Sequence, residues 1–201
     1  MGSTSTSPRR GRATPEQSRA EILDAAAHAL WETPLAELTV GGLMGQTRLG
    51  RSSFYVHFTD MGDLAAALLE QLEGELWQAA SAWTDETADG PDALGLAIEA
   101  VVEVWASHGP VLRAIVEAGL TDDRVAGLWR EGVVERFAEV IANGITATTD
   151  TGGADAYELA IALLLLNERY LMDRLGRTPQ ADPTNVAATL RTIWTRTLYP
   201  R

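Results

Sequence analysis

The sequence predicts an all-α protein of about nine helices. Apolar residues recur at helical spacing along nearly the whole chain, no segment shows sustained apolar and polar alternation, and Gly and Pro cluster between the periodic segments. With 201 residues, 46% of them hydrophobic and 22% charged, the chain has the composition of a globular protein. We therefore expect one domain, or one large domain with a small module attached, around a sizeable core.

Local signals identify four helices in the first part of the chain. The segment Thr14-Pro15-Glu16-Gln17 combines a Thr cap, a Pro at the first helical position and a Gln three residues on, which predicts a helix to about Trp31. A Thr cap opens a short helix over 39–44, and a second short helix follows over 50–57. A Thr-Asp cap then opens a long helix over 59–76.

A Gly-Pro pair divides the next apolar segment. Helical periodicity covers residues 92–108 and 110–118. Gly109-Pro110 between them predicts two separate helices, because Pro lacks a backbone donor and clashes with the preceding turn. Thr121-Asp122 caps a further helix that runs to about residue 148.

The last two helices carry a large apolar surface. Residues 155–175 form a helix that is apolar on nearly every side between Ala156 and Leu166, which predicts burial all round. In the final helix, a seam at helical spacing comprises Val186, Leu190, Ile193 and Thr197. A single bundle does not easily cover so much apolar surface, so we expect a homodimer through the last two helices.

The composition excludes most enzyme and metal chemistry. The chain contains no Cys, and all sixteen of its Lys and Arg residues are Arg. Disulfides, thiolate metal sites, Walker-type phosphate loops and lysine Schiff bases are therefore excluded. His28, His57 and His108 are far apart in sequence, and no HExxH motif is present. We expect no catalytic residue, no cofactor and no metal.

No segment is typical of a membrane or secreted protein. The longest apolar run, Leu159 to Leu166, is far shorter than the roughly 20 residues that cross a bilayer. The N-terminus has no hydrophobic stretch behind its arginines, as a secretory signal would. The sequence therefore predicts a cytoplasmic protein without a membrane partner.

Charge is distributed unevenly along the chain. The net charge is -12, but residues 1–60 hold six arginines and six acids, so the excess lies in residues 61–201. Residues 1–14 predict a disordered basic arm, with Arg9, Arg10 and Arg12. Residues 38–59 contain no acid at all. These two segments are the candidates to face an anion such as DNA.

Residues 39–58 predict a helix-turn-helix, two short helices joined by a tight turn behind a longer packing helix. The second helix has side chains suited to the major groove: an arginine for guanine, small serines for close approach, and polar tips for phosphates. These residues are Arg51, Ser52, Ser53, Tyr55 and His57. The alternative is that the Tyr and His only complete an aromatic packing cluster with Phe54 and Phe58.

Two groups of residues carry a resemblance to a known family. Thr39-Val40, Leu49 and Phe54-Tyr55-Val56-His57-Phe58-Thr59-Asp60 resemble the N-terminal domain of the TetR family of bacterial transcriptional repressors, over about residues 17–76. The later part is similar to the ethionamide-resistance repressor branch, at Ser107-His108, Leu128-Trp129, Leu166-Asn167-Glu168-Arg169 and Ile193-Trp194.

The resemblance implies a ligand-responsive repressor that binds a palindromic double-stranded DNA operator as a homodimer. By this resemblance, the bases would be contacted by Arg51, Ser52 and Ser53, and the phosphates by Thr39, Tyr55 and His57.

Three positions depart from the family pattern. Arg48 replaces the turn glycine, so either Arg48 adopts a positive φ at a cost of about 1 kcal/mol or the turn differs. Gly50 replaces the usual Ser cap, which that position tolerates. Met61 replaces a lysine that contacts phosphate, so DNA affinity would depend more on Arg48 and on the arm.

The rest of the chain exceeds what DNA binding requires and is rich in Trp. The resemblance implies a tunnel for an apolar small-molecule effector, lined by Trp105, Trp129, Asn167, Tyr170 and Trp194. The alternative is that the rings simply fill the core. Asn167 follows four leucines, and an unpartnered buried amide costs about 1 to 3 kcal/mol, so it should bond a ligand or a neighbouring backbone group. The branch has aromatic or polar groups where this chain has Leu94, Val101, Val133 and Leu164.

We therefore divide the chain into three parts: a disordered basic arm over 1–14, a helix-turn-helix DNA-binding domain over 15–60, and a ligand-binding and dimerisation domain over 61–201. One alternative stays open from the residues alone. The chain could be a helical ligand-binding or protein-interaction module that has lost sequence-specific DNA binding, which Arg48 and Met61 favour.

Overall fold

The structure, a computed structural model, describes residues 14–84, 90–148 and 154–199. Within these ranges all regular structure is helical. The helices are α1 (Pro15–Ala29), α2 (Val40–Met44), α3 (Arg51–His57), α4 (Met61–Thr84), α5 (Gly90–Ala118), α6 (Asp123–Trp129), α7 (Arg136–Thr148), α8 (Ala156–Arg174) and α9 (Pro183–Leu198). The predicted all-α class is confirmed. Residues 1–13 of the predicted basic arm lie outside the described residues.

The predicted start of α1 is confirmed in its hydrogen bonds. The Gln17 backbone N–H donates to Thr14 Oγ1 at 3.2 Å, and the Thr14 N–H donates to Gln17 Oε1 at 3.0 Å. This reciprocal pair satisfies two backbone donors that a helix start leaves free. Thr39 caps α2 in the same manner, accepting from the Gly42 N–H at 3.0 Å.

Helix α4 connects the two parts of the molecule. It contacts α1 at one side and packs against α5, α6 and α7 of the larger bundle. The buried apolar residues form one cluster that extends from Ile22 in α1 to Leu198 in α9. No helix of the described ranges is both long and apolar enough to span a membrane.

The predicted break at Gly109-Pro110 is wrong, because α5 continues through both residues. Pro110 cannot donate to the carbonyl of Ala106 one turn earlier. The Gln180 side-chain amide donates to that carbonyl instead, at 3.1 Å. Gly109 is needed for packing rather than for a turn, since a Cβ there would collide with the Leu175 carbonyl oxygen. A residue 70 positions away thus stabilises the helix that local sequence would end.

The helix predicted from Thr121-Asp122 to residue 148 is present but irregular. Asp122 is the N-cap of α6, as predicted, and accepts from the Arg124 and Val125 N–H groups. Between α6 and α7 the chain forms a π-helical segment, Arg130–Glu135, which buries Val133 and Val134. Such insertions widen a helix locally and are common at functional sites.

The expectation that α8 is buried all round is wrong. Leu165 is 50% exposed and Leu166 38% exposed, whereas Leu163 is buried. The α9 seam also differs from its predicted role, because Val186 and Leu190 lie in the core of their own chain. Of these two helices, α8 leaves large apolar side chains exposed, whereas the chain itself covers the first half of the α9 seam.

Candidate nucleic-acid interface and ligand cavity

Two aromatic anchors hold α3 in the helix-turn-helix. Phe54 and Phe58 are buried, with ring centroids 5.4 Å apart. They lie four residues apart and therefore on one face of the chain as it leaves α3. Because this face packs inward, the opposite face of α3 is directed away from the core.

The outward face of α3 carries the predicted base-reading residues. Arg51 and Ser52 are exposed, and Tyr55 is 62% exposed. Ser53 and His57 are partly buried. Tyr55 also packs against Phe54, with ring centroids 5.4 Å apart and nearly perpendicular, so packing accounts for only part of this mostly exposed side chain.

The guanidinium of Arg51 lies beside α2. A Cβ at Gly41 would approach Arg51 Nη2 to 2.8 Å, so the guanidinium lies close against the backbone of α2 at this glycine. Within the described ranges, Arg51 forms no ion pair. An arginine that is exposed and without a carboxylate partner is suited to a phosphate or a guanine edge.

Arg48 is held by an acid of α1, in contrast to Arg51. Its backbone N–H donates to Glu21 Oε1 at 2.7 Å, and its Nη2 donates to Glu21 Oε2 at 3.1 Å. These bonds, the backbone one first, lower the pKa of the Glu21 carboxyl. No described residue other than glycine has a positive φ, so the turn differs from the family turn and Arg48 is not strained. Its side chain is nevertheless 88% exposed.

Thr39 is exposed and caps the start of α2, the helix that lies beside the Arg51 guanidinium. Its hydroxyl oxygen already accepts from the Gly42 N–H, which leaves the O–H donor for another partner. Met61, the position where the family has a lysine, is the first residue of α4 and is partly buried. Arg9, Arg10 and Arg12 of the arm lie outside the described residues.

A cavity of about 110 Å³ lies within the C-terminal bundle. Four of the five predicted ligand-binding residues line it, namely Trp105, Trp129, Asn167 and Trp194. Tyr170 packs against the core but is not among the lining residues. The four positions where the family branch differs also line this cavity: Leu94, Val101, Val133 and Leu164.

Two indole groups of the cavity wall are hydrogen-bonded to neighbouring residues of α8. The Trp194 Nε1–H donates to Asn167 Oδ1 at 2.9 Å, and the Trp129 Nε1–H donates to Glu168 Oε2 at 2.7 Å. The expected partner of Asn167 was a ligand or a backbone group, and its observed partner is a side chain. These bonds fix both rings against α8 and so define the shape of the wall.

An ionic cluster ties α6 to the first turn of α4. Arg124 of α6 lies 3.0 Å from Asp63 and 3.5 Å from Asp60, and its own cap Asp122 is 3.4 Å away. The Thr59 N–H and then Arg124 lower the pKa of Asp63. The Val125 N–H and then Arg124 lower the pKa of Asp122. Asp60 and Asp63 lie three and six residues after α3 ends, so the cluster joins the bundle to the chain that leaves the recognition helix.

Sequence reasoning missed three features of these sites. Val56 is 75% exposed on α3, and nothing in the sequence marked this apolar residue as part of the DNA-facing surface. Phe137 and Glu168 line the cavity. Glu168 follows Asn167 directly, so its position next to a predicted lining residue was the available signal.

Comparison with known proteins identifies the family. The model for the C-terminal domain of the transcriptional regulator EthR matches residues 94–200, more than half of the chain. The chain is also 30% identical to the HTH-type transcriptional regulator EthR of Mycobacterium tuberculosis over 201 residues, which covers 94% of this chain and 93% of the relative. The chain belongs to the EthR family. EthR of Mycobacterium bovis matches with the same identity and coverage.

Solved structures share the fold of this EthR-family chain. A TetR-like transcriptional regulator from Rhodococcus sp. RHA1 superimposes with a TM-score of 0.74 at 17% identity, covering 94% of this chain and 100% of that one. FadR from Bacillus subtilis, solved in complex with stearoyl-CoA, gives a TM-score of 0.67 at 14% identity, covering 90% and 99%. The fold is therefore that of TetR-type regulators, and the chain is a transcriptional regulator of the EthR family.

Proposed function

We propose that this chain is a ligand-responsive repressor that binds a palindromic DNA operator as a homodimer. The exposed, acid-free face of α3 carries the proposal, because Arg51, Ser52 and Tyr55 are accessible there. An α-helix fits the major groove, where arginine donates to guanine O6 and N7. The exposed Val56 adds an apolar group suited to a thymine methyl. Thr39, Ser53, His57 and the free edge of Arg48 would complete the contacts to bases and phosphates.

The uncovered leucines of α8 support a homodimer. Leu165 and Leu166 form an apolar patch that this chain does not bury. A two-fold pairing through α8 and α9 would bury the patch and would present two copies of α3 to the same side of a duplex. Recognition helices about 34 Å apart read successive major grooves, which makes the operator a palindrome. In this account, residues 61–201 serve ligand binding and dimerisation, and residues 15–60 serve DNA binding.

The cavity supports an apolar small molecule as the effector. Its wall is almost entirely apolar, with aromatic rings from Trp105, Trp129 and Trp194. Ligand sites typically combine such walls with a few polar groups that orient the ligand. We propose no enzymatic activity and no cofactor for this site, and we propose that the protein acts in the cytoplasm, where its DNA target lies.

Helix α6 offers the connection between effector and DNA. Its last residue, Trp129, lines the cavity, and Arg124 near its start is bonded to Asp63 of α4. A ligand that displaces Trp129 would move α6 as a unit and would shift α4 at the end that follows α3. The ligand then changes DNA affinity to the extent that it binds the two arrangements differently.

A gel-shift titration tests the proposal. DNA from upstream of the protein's own reading frame and of the adjacent frame is titrated at two salt concentrations, with a scrambled fragment as the control. We expect retardation of an upstream fragment that persists at the higher salt, while binding to the scrambled fragment is lost. Equal retardation of both fragments would contradict an operator.

The second candidate function is a helical binding module that has lost sequence-specific DNA binding. The ion pair between Arg48 and Glu21 favours it, because Glu21 partly neutralises an arginine at the edge of the helix-turn-helix that could otherwise contact phosphate. Met61 at the start of α4 also removes a phosphate contact of the family. An absence of retardation for every fragment at low salt would support this candidate.

A further inference from the structure

Among the described residues that line the cavity, Glu168 has the only ionisable side chain. Asn167 is the other strongly polar one, and the remaining lining residues are aliphatic or aromatic. The cavity wall therefore carries a carboxylate in otherwise apolar surroundings. Glu168 is partly buried, and its carboxylate can form a charge-assisted hydrogen bond with a ligand of opposite charge.

The described residues leave Glu168 without a cation. Its Oε2 accepts from the Trp129 indole at 2.7 Å, and no Arg or His of these ranges forms an ion pair with it. Other carboxylates that connect helices are paired: Arg136 lies 2.9 Å from Glu73, and Arg124 lies 3.0 Å from Asp63. Glu168 differs from them because its partner across the helices is a neutral indole, and because it also lines the cavity.

The groups around Glu168 also suit a cation. Three tryptophans and Phe137 contribute rings to the same wall, and the faces of aromatic rings attract cations. Asn167 Oδ1 accepts one hydrogen bond from Trp194 and has a second lone pair for another donor. A ligand that brings N–H donors and a positive charge would therefore meet two acceptors and an aromatic surface.

We propose that the effector of this cavity is an apolar molecule with a protonated amine, and that the ammonium group binds Glu168. This inference rests on the proposed function, since it names the ligand class of the proposed effector site. A carboxylate ligand such as a fatty acid would bring a second negative charge against Glu168, so the cavity discriminates against it. A neutral ligand of the same length would bind through the apolar wall alone.

The test compares three ligands with the same eight-carbon chain: octylamine, 1-octanol and octanoate. Each is titrated into the full-length protein by calorimetry at pH 7, where the amine is protonated and the acid is ionised. We expect octylamine to bind about tenfold or more tightly than octanol, and octanoate to bind more weakly than octanol. Octanoate binding as tight as octylamine in the wild-type protein would overturn the inference.

The variant Glu168→Gln separates charge from shape. Its side-chain carbonyl can still accept from Trp129, but its negative charge is gone. We expect the ratio of octylamine affinity to octanol affinity, both measured in the variant, to fall about tenfold. A preference that survives in Glu168→Gln would overturn the assignment of this residue. Thermal melting of the variant checks folding, and the wild-type ligand series decides the inference if the variant is unstable.

The octanol arm distinguishes the two proposals. Octanol binding without a preference for octylamine would overturn the cationic ligand and leave the apolar effector site of the proposed function intact. An absence of binding by all three ligands would overturn the effector site and the inference together.

Discussion

The recognition helix and the cavity differ in what fixes their functional side chains. In α3, the register of one seven-residue helix and two buried phenylalanines determine which residues are exposed. The cavity wall comes from helices between Leu76 and Trp194, so packing between distant segments determines it. A DNA-reading face can therefore be predicted from a short stretch of sequence, whereas a ligand site of this kind requires the tertiary structure.

The two regions also differ in packing. The helix-turn-helix surrounds Phe54 and Leu43 completely, since both are 0% exposed. The bundle instead contains a cavity beside Val101 and Leu164. Substitutions that enlarge a side chain should therefore lower the stability of the helix-turn-helix far more than that of the bundle.

The largest effect is expected for Phe54→Ala. Removing a fully buried phenyl ring leaves a cavity in the helix-turn-helix and should lower the free energy of unfolding by about 3 to 5 kcal/mol. Urea unfolding followed by circular dichroism measures the loss. The control is Tyr55→Ala on the exposed side of the same helix, which should change stability far less. Equal losses for the two variants would contradict the inward and outward faces of α3.

Adding volume should distinguish the packed region from the hollow one. Leu43→Phe overfills the helix-turn-helix core and should cost about 1 to 3 kcal/mol of stability. Val101→Phe adds a ring where the bundle has free space, so stability should change little while octanol binding is lost. Urea unfolding and calorimetry measure the two quantities. A destabilisation by Val101→Phe as large as that by Leu43→Phe would show that the cavity does not tolerate a ring.

Arg51→Ala should weaken operator binding by about 1 to 3 kcal/mol and relax base preference at one position of each half-site. The control is Arg191→Ala, which removes an exposed arginine that is paired with Asp92 and Glu99 of α5, far from α3 in sequence. Fluorescence anisotropy with the operator and with single-base variants measures both effects. The same weakening by Arg191→Ala would mean that net charge, and not α3, governs binding.

The smallest effect concerns the ionic cluster of Arg124. The pKa values of Asp63 and Asp122 are lowered in the folded protein. Their contribution to stability is therefore present above the ordinary aspartate pKa of about 3.9 and is lost as the pH falls through the lowered values. We expect Arg124→Gln to melt slightly below the wild type at pH 7 and to approach it below about pH 4.

Thermal melting between pH 7 and pH 3 tests this expectation, with Arg196→Gln as the control for an exposed arginine of α9. A difference between Arg124→Gln and wild type that stays constant over this range would contradict the assigned interaction.

Local signals predicted much of the fold. The capping residues Thr14 and Thr39 satisfy backbone groups a few residues away, so their role can be inferred from a short window. The continuity of α5 through Gly109-Pro110 could not be inferred, because Gln180 supplies the replacement hydrogen bond from the distant connection between α8 and α9. The exposure of Leu165 likewise depends on which side of α8 other helices cover.

In the candidate sites, too, local features were predictable and long-range contacts were not. Arg51 and Tyr55 were predictable because the period of one helix separates them from Phe54. The pairing of Arg48 with Glu21 was not, since it joins a turn to a helix 27 residues earlier. Trp105, Trp129 and Trp194 were predicted from the resemblance, but the contact between Trp129 and Glu168 depends on how α6 meets α8.

Hydroxyl-radical footprinting of the upstream DNA tests the central claim most directly, namely that two copies of α3 read one palindromic operator. We predict two protected patches related by a two-fold axis, with centres about 34 Å apart or a multiple of that spacing. Both patches should weaken together in Arg51→Ala and persist in Arg191→Ala. A single patch, or uniform protection along the fragment, would contradict the claim.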